Sequence, residues 1–446
     1  MDSKAPRKKR QLTPFQIIIF GFFLVILIGS LLLMLPISSR EGKFTPYNEA
    51  LFTSVSAVCV TGLVVHDTAT YWSTFGHSII LILIQIGGLG VVTVLSSLVL
   101  MVGKKFSLRQ RNTIQESISA DKVGGVVKLI KFVITTTFLI ELVGALMMMP
   151  TFCINYGGRG VWLAIFHSVS AFCNAGFDIL GSEGALYPSL TSFASDPIIN
   201  ITIMLLIIIG GIGFLTWDDV RHHGIHLKRY RMQSKIILTT TGLLILIPAI
   251  LFFFIEFNDL PIGERILASL FQSVTPRTAG FNTVDLTKMS DGGQTLMIVL
   301  MLIGGSPGST AGGIKTTTIA VLLINALSVF RRKEDLQACG RRFVPGVVNS
   351  ASTILILYLV IFLTGGTIIS LVEDLPIKEC LFETASAIGT VGLSLGITPS
   401  LGIASQIILM MIMFFGRVGG LTLIYATLNP KNKNVSKLPQ EKITVG

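Results

Sequence analysis

Residues 56–63 read SAVCVTGL, a short apolar stretch that ends at a glycine followed by Leu, and three later stretches repeat this arrangement. The repeats are SAFCNAGF at 170–177, TPRTAGF at 275–281 and SAIGTVGL at 386–393. Their aligned glycines, Gly62, Gly176, Gly280 and Gly392, are 114, 104 and 112 residues apart. This spacing indicates four copies of one structural unit, and four copies can enclose a pore.

The composition is typical of a polytopic membrane protein. Of the 446 residues, 51% are hydrophobic and only 13% are charged. Apolar runs such as 14–36, 78–102 and 235–257 are long enough to cross the roughly 30 Å hydrocarbon core of a bilayer. The first run follows a basic tail, but it is too long for the apolar region of a signal peptide and lacks a small-residue cleavage site. We therefore expect it to remain as a membrane helix.

The positive charge is concentrated in particular connections. A net charge of +11 would suggest nucleic acid as the partner of a soluble protein, but no nucleic-acid partner is expected here. Most of the basic residues, 26 of 35, lie in segments 1–11, 103–131, 218–235, 331–342 and 431–446. The positive-inside rule places both termini and the three internal segments in the cytoplasm of a plasma-membrane protein. The connections near 37–46, 151–160, 256–265 and 372–379 then face outward.

Each unit is predicted to contain a long apolar helix, an outward connection, a short apolar segment that ends at the glycine motif, and a second long helix. In the second unit these are helix 126–150, segment 161–173, the motif at 173–177 and helix 197–217. The short segment spans only about 20 Å as a helix, so it must enter the membrane and turn back. The predicted fold is an all-α polytopic membrane protein with four M1–P-loop–M2 repeats in pseudo-fourfold symmetry around a pore. It has eight spanning helices and four re-entrant pore helices.

The predicted organisation follows from these units and from the charged connections. It comprises a cytoplasmic tail at 1–13, pore repeat 1 at 14–103, a connection at 104–125, repeat 2 at 126–217, a connection at 218–234, repeat 3 at 235–330 with an intramembrane loop at 304–316, a connection at 331–348, repeat 4 at 349–428 and a tail at 429–446.

The four glycine loops are predicted to form a selectivity filter. Rings of backbone carbonyl oxygens can replace the water shell of a cation, and glycine permits the positive φ values that such a ring needs. The fourth loop carries the letters TVG of the potassium-channel filter TVGYG, whereas the other three keep only the glycine in register. One principal ion site is expected, with potassium at the backbone carbonyls of the four glycines. The predicted filter residues are Val60, Thr61, Gly62, Asn174, Ala175, Gly176, Thr278, Ala279, Gly280, Thr390, Val391 and Gly392.

Charged residues near the filter have competing interpretations. Asp67, Asp178 and Asp285 follow the first three filters and could attract cations, although ordinary solvated acids are favoured. Arg277 precedes the third filter and could brace the loop from behind through its carbonyls. Glu141 and Glu383 lie within apolar segments, where hydrogen bonding to neighbouring backbone is favoured over a functional role.

The third unit contains a stretch that a regular helix cannot accommodate. Residues 304–313 hold five glycines and a proline, so the helix is expected to break near the middle of the membrane, below the filter. By contrast, the glycine pairs of units one and two, in IGGLGVVT and IGGIGFLT, are expected to allow a continuous helix. We predict that the loop obstructs the pore and that Arg417 bonds its carbonyls or hydroxyls, although Arg417 could equally brace helices away from the axis. Lys315 is expected to reach water or the loop's own carbonyls. The predicted gate residues are Gly304, Gly305, Ser306, Pro307, Gly308, Ser309, Thr310, Ala311, Gly312, Gly313, Lys315 and Arg417.

These features together resemble the Trk/Ktr/HKT superfamily of potassium transporters. The likeness rests on four units with single filter glycines, the Gly/Ser-rich interruption in the third unit and the arginine in the last helix. It covers about 14–428, and the length and short tails are most similar to the KtrB-type membrane subunits of bacterial Ktr systems. The resemblance implies potassium uptake, often helped by sodium, and a filter glycine at each of the four aligned positions. Because a serine at the first filter position goes with sodium selectivity in the plant relatives, Gly62 favours potassium.

The resemblance also implies an assembly. It predicts a homodimer in which each protomer has its own pore, resting on a cytoplasmic ring of KtrA-type subunits that bind nucleotide. The cytoplasmic connections are too short to form a domain, so nucleotide control must come from such a partner. The available docking surface is 104–122, 218–235, 331–343 and the tail 429–446. Potassium is the transported ion, sodium is a further candidate, and no organic cofactor is expected in this chain.

Two alternatives remain open at this stage. A sodium or ammonium pathway would have the same composition, because carbonyl rings discriminate between ions by small differences in size and field strength. A nucleotide-using membrane enzyme is suggested by 308–316, which approaches the phosphate-binding pattern G-x-x-x-x-G-K-[ST]. The inserted Ile314 breaks that pattern, and no soluble strand precedes it.

The six histidines show no credible metal cluster, and the five cysteines are expected to be buried apolar thiols.

Overall fold

A computed structural model describes residues 13–101, 106–117, 125–332 and 335–420, with the single positions 422 and 441. This part of the chain is mostly helical, as predicted, and its only named strands form a small hairpin, Gln337–Ala338 (β1) paired with Arg341–Arg342 (β2). The predicted tails lie outside the described residues except for Thr13 and Glu441, as do 102–105 and 118–124 of the first cytoplasmic region.

The first predicted unit begins with a well-capped helix. Thr13 and Gln16 form a reciprocal capping box, and Pro14 occupies the first helical turn, where its missing N–H costs nothing. The helices of this unit are Pro14–Met34 (α1), Tyr47–Cys59 (α2), Thr68–Tyr71 (α3), Thr74–Leu89 (α4) and Val91–Met101 (α5).

The remaining units follow the same order of long helix, short helix and second helix. A further helix, Leu108–Ser117 (α6), precedes unit two. Unit two contains Val126–Tyr156 (α7), Arg159–Phe172 (α8), Pro197–Gly211 (α9) and Phe214–His223 (α10). Unit three contains Met232–Ile255 (α11), Ile262–Val274 (α12), Asp291–Leu302 (α13) and Thr316–Phe330 (α14). Unit four contains Val347–Glu373 (α15), Ile377–Gly389 (α16) and Ile403–Val418 (α17).

The expectation of continuous second helices in units one and two was wrong. Helices α4 and α5 meet at 94°, and α9 and α10 meet at 99°. At each break a glycine has a positive φ, +85° at Gly90 and +92° at Gly213, which ends a right-handed helix. At Gly213 the neighbouring loop also excludes any side chain, because a Cβ there would lie 2.6 Å from the carbonyl oxygen of Pro307.

Within the described residues, four helices are individually long and apolar enough to cross a bilayer: α1, α7, α11 and α15. Counting each bent pair as one span raises this number to six. Helices α13, α14 and α17 are apolar but shorter. The second helices of units one to three are divided in two, and α17 of unit four has only 16 residues, so the count of eight spans stays a prediction.

Helix packing runs around the molecule in a closed cycle. In every unit the long first helix packs against the short helix that follows it, as α1 does against α2. The second helix of each unit also contacts the short helix of the next one, in the pairs α4 with α8, α9 with α12, α13 with α16, and α17 with α2. The last pair returns to the first unit, so the four glycine loops that follow the short helices are held close together.

The cysteines partly follow expectation. Cys59, Cys173 and Cys380 are buried, Cys153 is partly exposed, and Cys339 is exposed in the turn of the β-hairpin.

Candidate functional site

The four loops predicted to form the filter, called filter loops below, share one backbone conformation. Two residues before each glycine, a non-glycine residue has a positive φ of 50–69°, and the glycine itself has a positive φ of 68–94°. L-residues with a side chain visit this region rarely, so its recurrence at four equivalent positions indicates one common loop geometry. The residues before the glycines are Val60, Asn174, Thr278 and Thr390, and the glycines are Gly62, Gly176, Gly280 and Gly392.

The four glycines form a ring in which each lies against the next loop. A Cβ on Gly62 would lie 2.4 Å from the carbonyl oxygen of Ala175, and one on Gly176 would lie 2.7 Å from that of Ala279. A Cβ on Gly280 would lie 2.3 Å from the carbonyl oxygen of Val391, and one on Gly392 would lie 2.2 Å from that of Thr61. Any side chain would therefore strike backbone, which explains why only glycine fits at these positions.

Hydroxyl groups at the ends of the short helices brace the loops. Ser56 Oγ accepts a hydrogen bond from Gly62 N at 3.1 Å, and Ser386 Oγ accepts one from Gly392 N at 2.9 Å. In the other two units the hydroxyl donates instead, Ser170 to the carbonyl of Phe177 at 2.8 Å and Thr275 to the carbonyl of Phe281. The sequence prediction missed these residues, although the repeated Ser of the SA motif was the available signal.

Several buried polar atoms beside the filter have no partner in the part of the chain that the structure describes. They are the hydroxyls of Thr61 and Thr390 and the amide oxygen of Asn174. Asn174 is otherwise held by its Nδ2, which donates to the carbonyl of Arg277 at 3.2 Å and to the hydroxyl of Thr278 at 3.1 Å. Unpartnered buried oxygens are costly, so their grouping here marks a place where another polar species can bind.

A cavity of about 240 Å³ lies on the side of the filter that sequence analysis assigns to the outside, and all four filter glycines line it. Asp178 and Asp285 also line it, whereas no Lys or Arg does among the described residues. Asp67 does not line this cavity, because its carboxylate caps α3 through Thr70 N at 2.9 Å and accepts from Tyr187 N at 3.0 Å. Of the three predicted acids, Asp178 and Asp285 therefore face the cavity and Asp67 is structural.

The two acids at this cavity differ in protonation. Burial raises the pKa of Asp178 to about 7, and the nearby carboxylate of Asp67 acts in the same direction. A hydrogen bond from Thr287 instead holds the pKa of Asp285 below its ordinary value. Asp285 is therefore an anion at neutral pH, whereas Asp178 can gain or lose a proton near neutrality.

Arg277 is buried behind the third filter loop, as predicted, but its guanidinium makes a different contact. Its Nη2 donates to the hydroxyl of Thr241 in α11 at 3.3 Å, rather than to loop carbonyls. The bracing of the loop comes from its backbone carbonyl, which accepts from Asn174.

The Gly/Ser-rich segment between α13 and α14 forms a loop directly below the filter. It is pinned at its base by Gly304 N donating to the carbonyl of Ile314 at 2.9 Å. Thr310 Oγ1 reaches the carbonyl of Phe172, at the end of α8, at 3.1 Å. A Cβ on Gly312 would lie 2.2 Å from Thr390 Oγ1, so the loop touches the underside of the fourth filter.

The same loop forms two backbone hydrogen bonds with the residues around the break between α9 and α10 of unit two. Ser306 N donates to the carbonyl of Gly211 at 2.9 Å, and Phe214 N donates to the carbonyl of Gly308 at 2.7 Å. The break between α9 and α10 thus supplies free backbone groups that the loop satisfies.

Two basic side chains, Lys315 and Arg417, also hold the loop through its backbone carbonyls. Lys315 Nζ donates to the carbonyls of Ala311 at 2.8 Å and Gly312 at 3.3 Å, as the sequence suggested. Arg417 donates through Nη1 to the carbonyl of Thr310 and through Nη2 to the carbonyls of Gly87 and Gly88, the latter at 3.0 Å. Arg417 therefore ties the loop to both unit four and unit one, and the glycine carbonyls of unit one are partners that the sequence did not reveal.

A second cavity, of about 310 Å³, lies on the other side of this loop. Gly308, Gly313, Lys315 and Arg417 line it together with Gly88. The filter and the loop thus lie between two cavities, one lined by Asp178 and Asp285 and the other by Lys315, Arg417 and Glu116.

The carboxylates of Glu141 and Glu383 bond mainly side chains, whereas the sequence favoured neighbouring backbone, and only Glu383 also accepts from a backbone N–H, that of Leu395. Glu383 accepts hydrogen bonds from Ser394 and, at 2.7 Å, from Thr398, which ties α16 to the loop after the fourth filter. Glu141 accepts from Gln85 Nε2 at 3.0 Å, and its carbonyl accepts from Ser168 Oγ at 2.6 Å. Both contacts join different parts of the filter scaffold.

Comparison with known proteins identifies the family. A profile described as TrkH, cation transport protein, matches residues 2–437. The chain belongs to this family of cation transport proteins. It is therefore a multi-pass membrane transporter and not an enzyme, so the resemblance of 308–316 to a phosphate-binding loop has no catalytic meaning.

Individual TrkH-family relatives match over nearly the whole chain. The chain is 38% identical to the potassium/sodium uptake protein NtpJ of Enterococcus hirae, over 99% of both chains. It is also 38% identical to the Ktr system potassium uptake protein B of Bacillus subtilis, over 97% of both. The fold matches the crystal structure of the potassium transporter TrkH from Vibrio parahaemolyticus with a TM-score of 0.73 at 20% identity, over 96% of this chain and 87% of that one.

Proposed function

We propose that this chain mediates potassium uptake across the plasma membrane through a ring of filter carbonyls. The observation that carries the proposal is the contact ring of Gly62, Gly176, Gly280 and Gly392. Carbonyl oxygens from four loops at one axis can replace the hydration shell of a cation, which is what a selectivity filter requires. The relatives named as potassium uptake proteins support potassium as the ion.

The surroundings of the ring favour a cation. Helices α2, α8, α12 and α16 all end at the filter loops, so the negative ends of their dipoles lie beside the ion site. The unpartnered hydroxyls of Thr61 and Thr390 add oxygens close to the ring, that of Thr390 on its underside. Asp178 and Asp285 draw cations from the outside, since no Lys or Arg lines this cavity among the described residues. Lys288, whose Nζ lies 3.5 Å from Asp285 Oδ2, offsets part of the charge of Asp285.

The proposed architecture is four M1–P-loop–M2 repeats around one pore, with eight spans and both termini in the cytoplasm. It is supported by the closed cycle of helix contacts and by the shared loop conformation. The breaks in the second helices of units one to three are compatible with this count, since each of these helices would cross the membrane in two pieces.

The loop at 304–316 is proposed as the gate. Its backbone lies between the filter and the second cavity, called the inner cavity below, and the Arg417 contacts hold it to two other units. Releasing these bonds would let the loop swing aside, because its five glycines allow it many backbone conformations. Regulation is proposed to come from a cytoplasmic ring of KtrA-type subunits that bind nucleotide and contact a homodimer of this chain.

Sodium is a second candidate for the transported ion. The E. hirae relative is named a potassium/sodium uptake protein, and only the fourth filter retains the TVG letters of potassium channels.

Uptake of radioactive rubidium into liposomes that contain the purified chain tests the function, with empty liposomes as the control. We expect rubidium to accumulate and potassium to compete for it more strongly than sodium or ammonium. Equal or stronger competition by sodium would favour the second candidate, and absence of uptake above empty liposomes would contradict cation transport by this chain alone.

A further inference from the structure

A large cavity lies away from the ion pathway, and none of the charged residues that line it belongs to the proposed filter or the loop gate. Its volume is about 1090 Å³, and residues of α7 and α10 line it together with Arg231, which precedes α11. Lys128, Lys131, Arg221 and Arg231 line it, whereas Asp218 is the only acidic residue that does so among the described residues. The cavity therefore carries an excess of three positive charges with His222 neutral.

Most of this positive charge has no partner. Asp218 is already engaged by Arg231 Nη2 at 2.9 Å and by His222 Nδ1 at 3.2 Å. Lys128, Lys131 and Arg221 form no ion pair with any described residue. A cavity with three uncompensated cations is suited to an anionic ligand, and a phosphate group matches cations that converge from two helices.

The wall of the cavity is apolar and holds one of the cations in place. Leu129, Phe132 and Leu215 line it, and the guanidinium of Arg221 lies over the ring of Phe132, 4.8 Å from its centroid. This cation–π contact directs a charge of α10 toward α7. Helix α7 also begins at the cavity without a side-chain cap, which adds the positive end of its dipole.

The apolar surface continues out of the cavity along α7. Phe138, Leu139, Leu142 and Leu146 follow Lys131 and Thr135 at helical spacing, and each of them is more than half exposed. In a membrane this stripe faces acyl chains, so the cavity opens onto lipid, and a soluble phosphate compound would make no contact with the stripe. A phospholipid would cover it with acyl chains while its phosphate lay among the lysines, and basic pockets at the cytoplasmic ends of membrane helices are suited to such headgroups.

From these observations, we propose that the cavity between α7, α10 and Arg231 binds the headgroup of an anionic phospholipid. Lys128, Lys131 and Arg221 contact the phosphate, and the acyl chains lie along the exposed leucines of α7. The site is distinct from the filter and the loop gate, so its occupancy can be measured without ion transport.

The test titrates the full-length chain in detergent with pyrene-labelled phosphatidylglycerol. Binding is read as energy transfer from the native tryptophans, one of which, Trp217, lies in α10. We expect saturable binding that unlabelled phosphatidylglycerol reverses and that phosphatidylcholine, glycerol phosphate and inorganic phosphate do not. Displacement by either soluble phosphate as effective as that by phosphatidylglycerol would overturn the lipid assignment.

Matched variants locate the site. Changing Lys128, Lys131 and Arg221 together to Gln should weaken binding about 100-fold, since each basic residue near an anionic lipid contributes roughly a factor of five. A control removes three exposed basic residues outside the cavity, Lys228, Arg229 and Arg331, by the same substitution and should bind as the unmodified chain does. Unchanged binding in the first variant, or an equal loss in the control, would overturn the proposal. If gel filtration shows that the triple variant is misfolded, Lys128→Gln and Lys131→Gln alone should each weaken binding about fivefold, and no loss in either would overturn it.

Discussion

Gly392 occupies the tightest position of the filter ring. Its φ is +94°, and a Cβ added to it would clash with the carbonyl oxygen of Thr61 at 2.2 Å. Gly392→Ala should lower rubidium uptake at least about 10-fold, because the methyl group must displace the neighbouring loop and the positive φ adds strain of about 1 kcal/mol. The assay is uptake into liposomes at equal protein content.

Gly42→Ala is the matched control for this substitution. Gly42 also has a positive φ, +70°, but nothing lies within 4 Å of its Cβ position. Its uptake should stay close to that of the unmodified chain. Equal uptake by the Gly392 and Gly42 variants would contradict a close-packed filter ring.

The raised pKa of Asp178 predicts a dependence of uptake on external pH. Because this pKa is about 7, the carboxylate is charged above pH 7 and becomes neutral as the pH falls below it. Uptake should fall about 10-fold between external pH 8 and pH 6, as the attraction of cations to the cavity outside the filter weakens. In Asp178→Asn this dependence should disappear, with uptake at pH 8 reduced to the low-pH level.

Asp285→Asn provides the comparison at the same cavity. Its pKa is held below the ordinary value by Thr287, so the side chain stays charged throughout this pH range. The variant should lower uptake at all pH values and leave the pH dependence intact. A pH dependence that persists in Asp178→Asn would exclude Asp178 as its source.

At the scale of the elements, the loop between α13 and α14 is held by a small number of hydrogen bonds, several of which run from the side chain of Arg417 to backbone carbonyls. Arg417→Ala removes the donors to Thr310, Gly87 and Gly88, and it also removes a positive charge from the inner cavity. Rubidium flux through the purified chain should therefore rise several-fold. Arg229→Ala, which removes an exposed arginine elsewhere, should leave the flux unchanged, and an unchanged flux in Arg417→Ala would contradict the gate.

The sequence was sufficient to predict the elements whose signals are local. The positive φ of the repeated glycines and the break at 304–313 follow from residue types that impose one conformation. For Arg417 the sequence left the loop contact and helix bracing equally open, and the hydrogen bond to Thr310 supports the loop contact. The breaks at Gly90 and Gly213 were missed, because a glycine within an apolar run can equally serve close helix packing. At Gly213 a side chain is excluded by the carbonyl of Pro307, which lies 94 residues later in the chain and is invisible to a local pattern.

The bracing hydroxyls show the same limit at the filter. Ser56 and Ser386 are visible as a repeated letter, but whether they face the loop or the next helix depends on tertiary packing. The glutamate contacts are also long-range, since Glu141 meets Gln85 of another unit. Single-sequence patterns do not contain such pairings.

For the whole molecule, nucleotide control is predicted to require a second protein. Flux through the purified chain in liposomes should be the same with ATP, with ADP and without nucleotide, and addition of KtrA-type subunits should make it nucleotide-dependent. The mass in solution should be twice the 48.2 kDa of one chain, as measured by light scattering after subtraction of detergent. A nucleotide response by the chain alone would contradict this division of roles.

The ring of four glycine loops is tested most directly by locating the ion itself. Crystals of the chain grown with rubidium in place of potassium should show one principal anomalous peak on the axis between Gly62, Gly176, Gly280 and Gly392, surrounded by peptide oxygens of all four loops. Loops that lie apart with no rubidium between them, or a peak bound by fewer than four of them, would contradict the account.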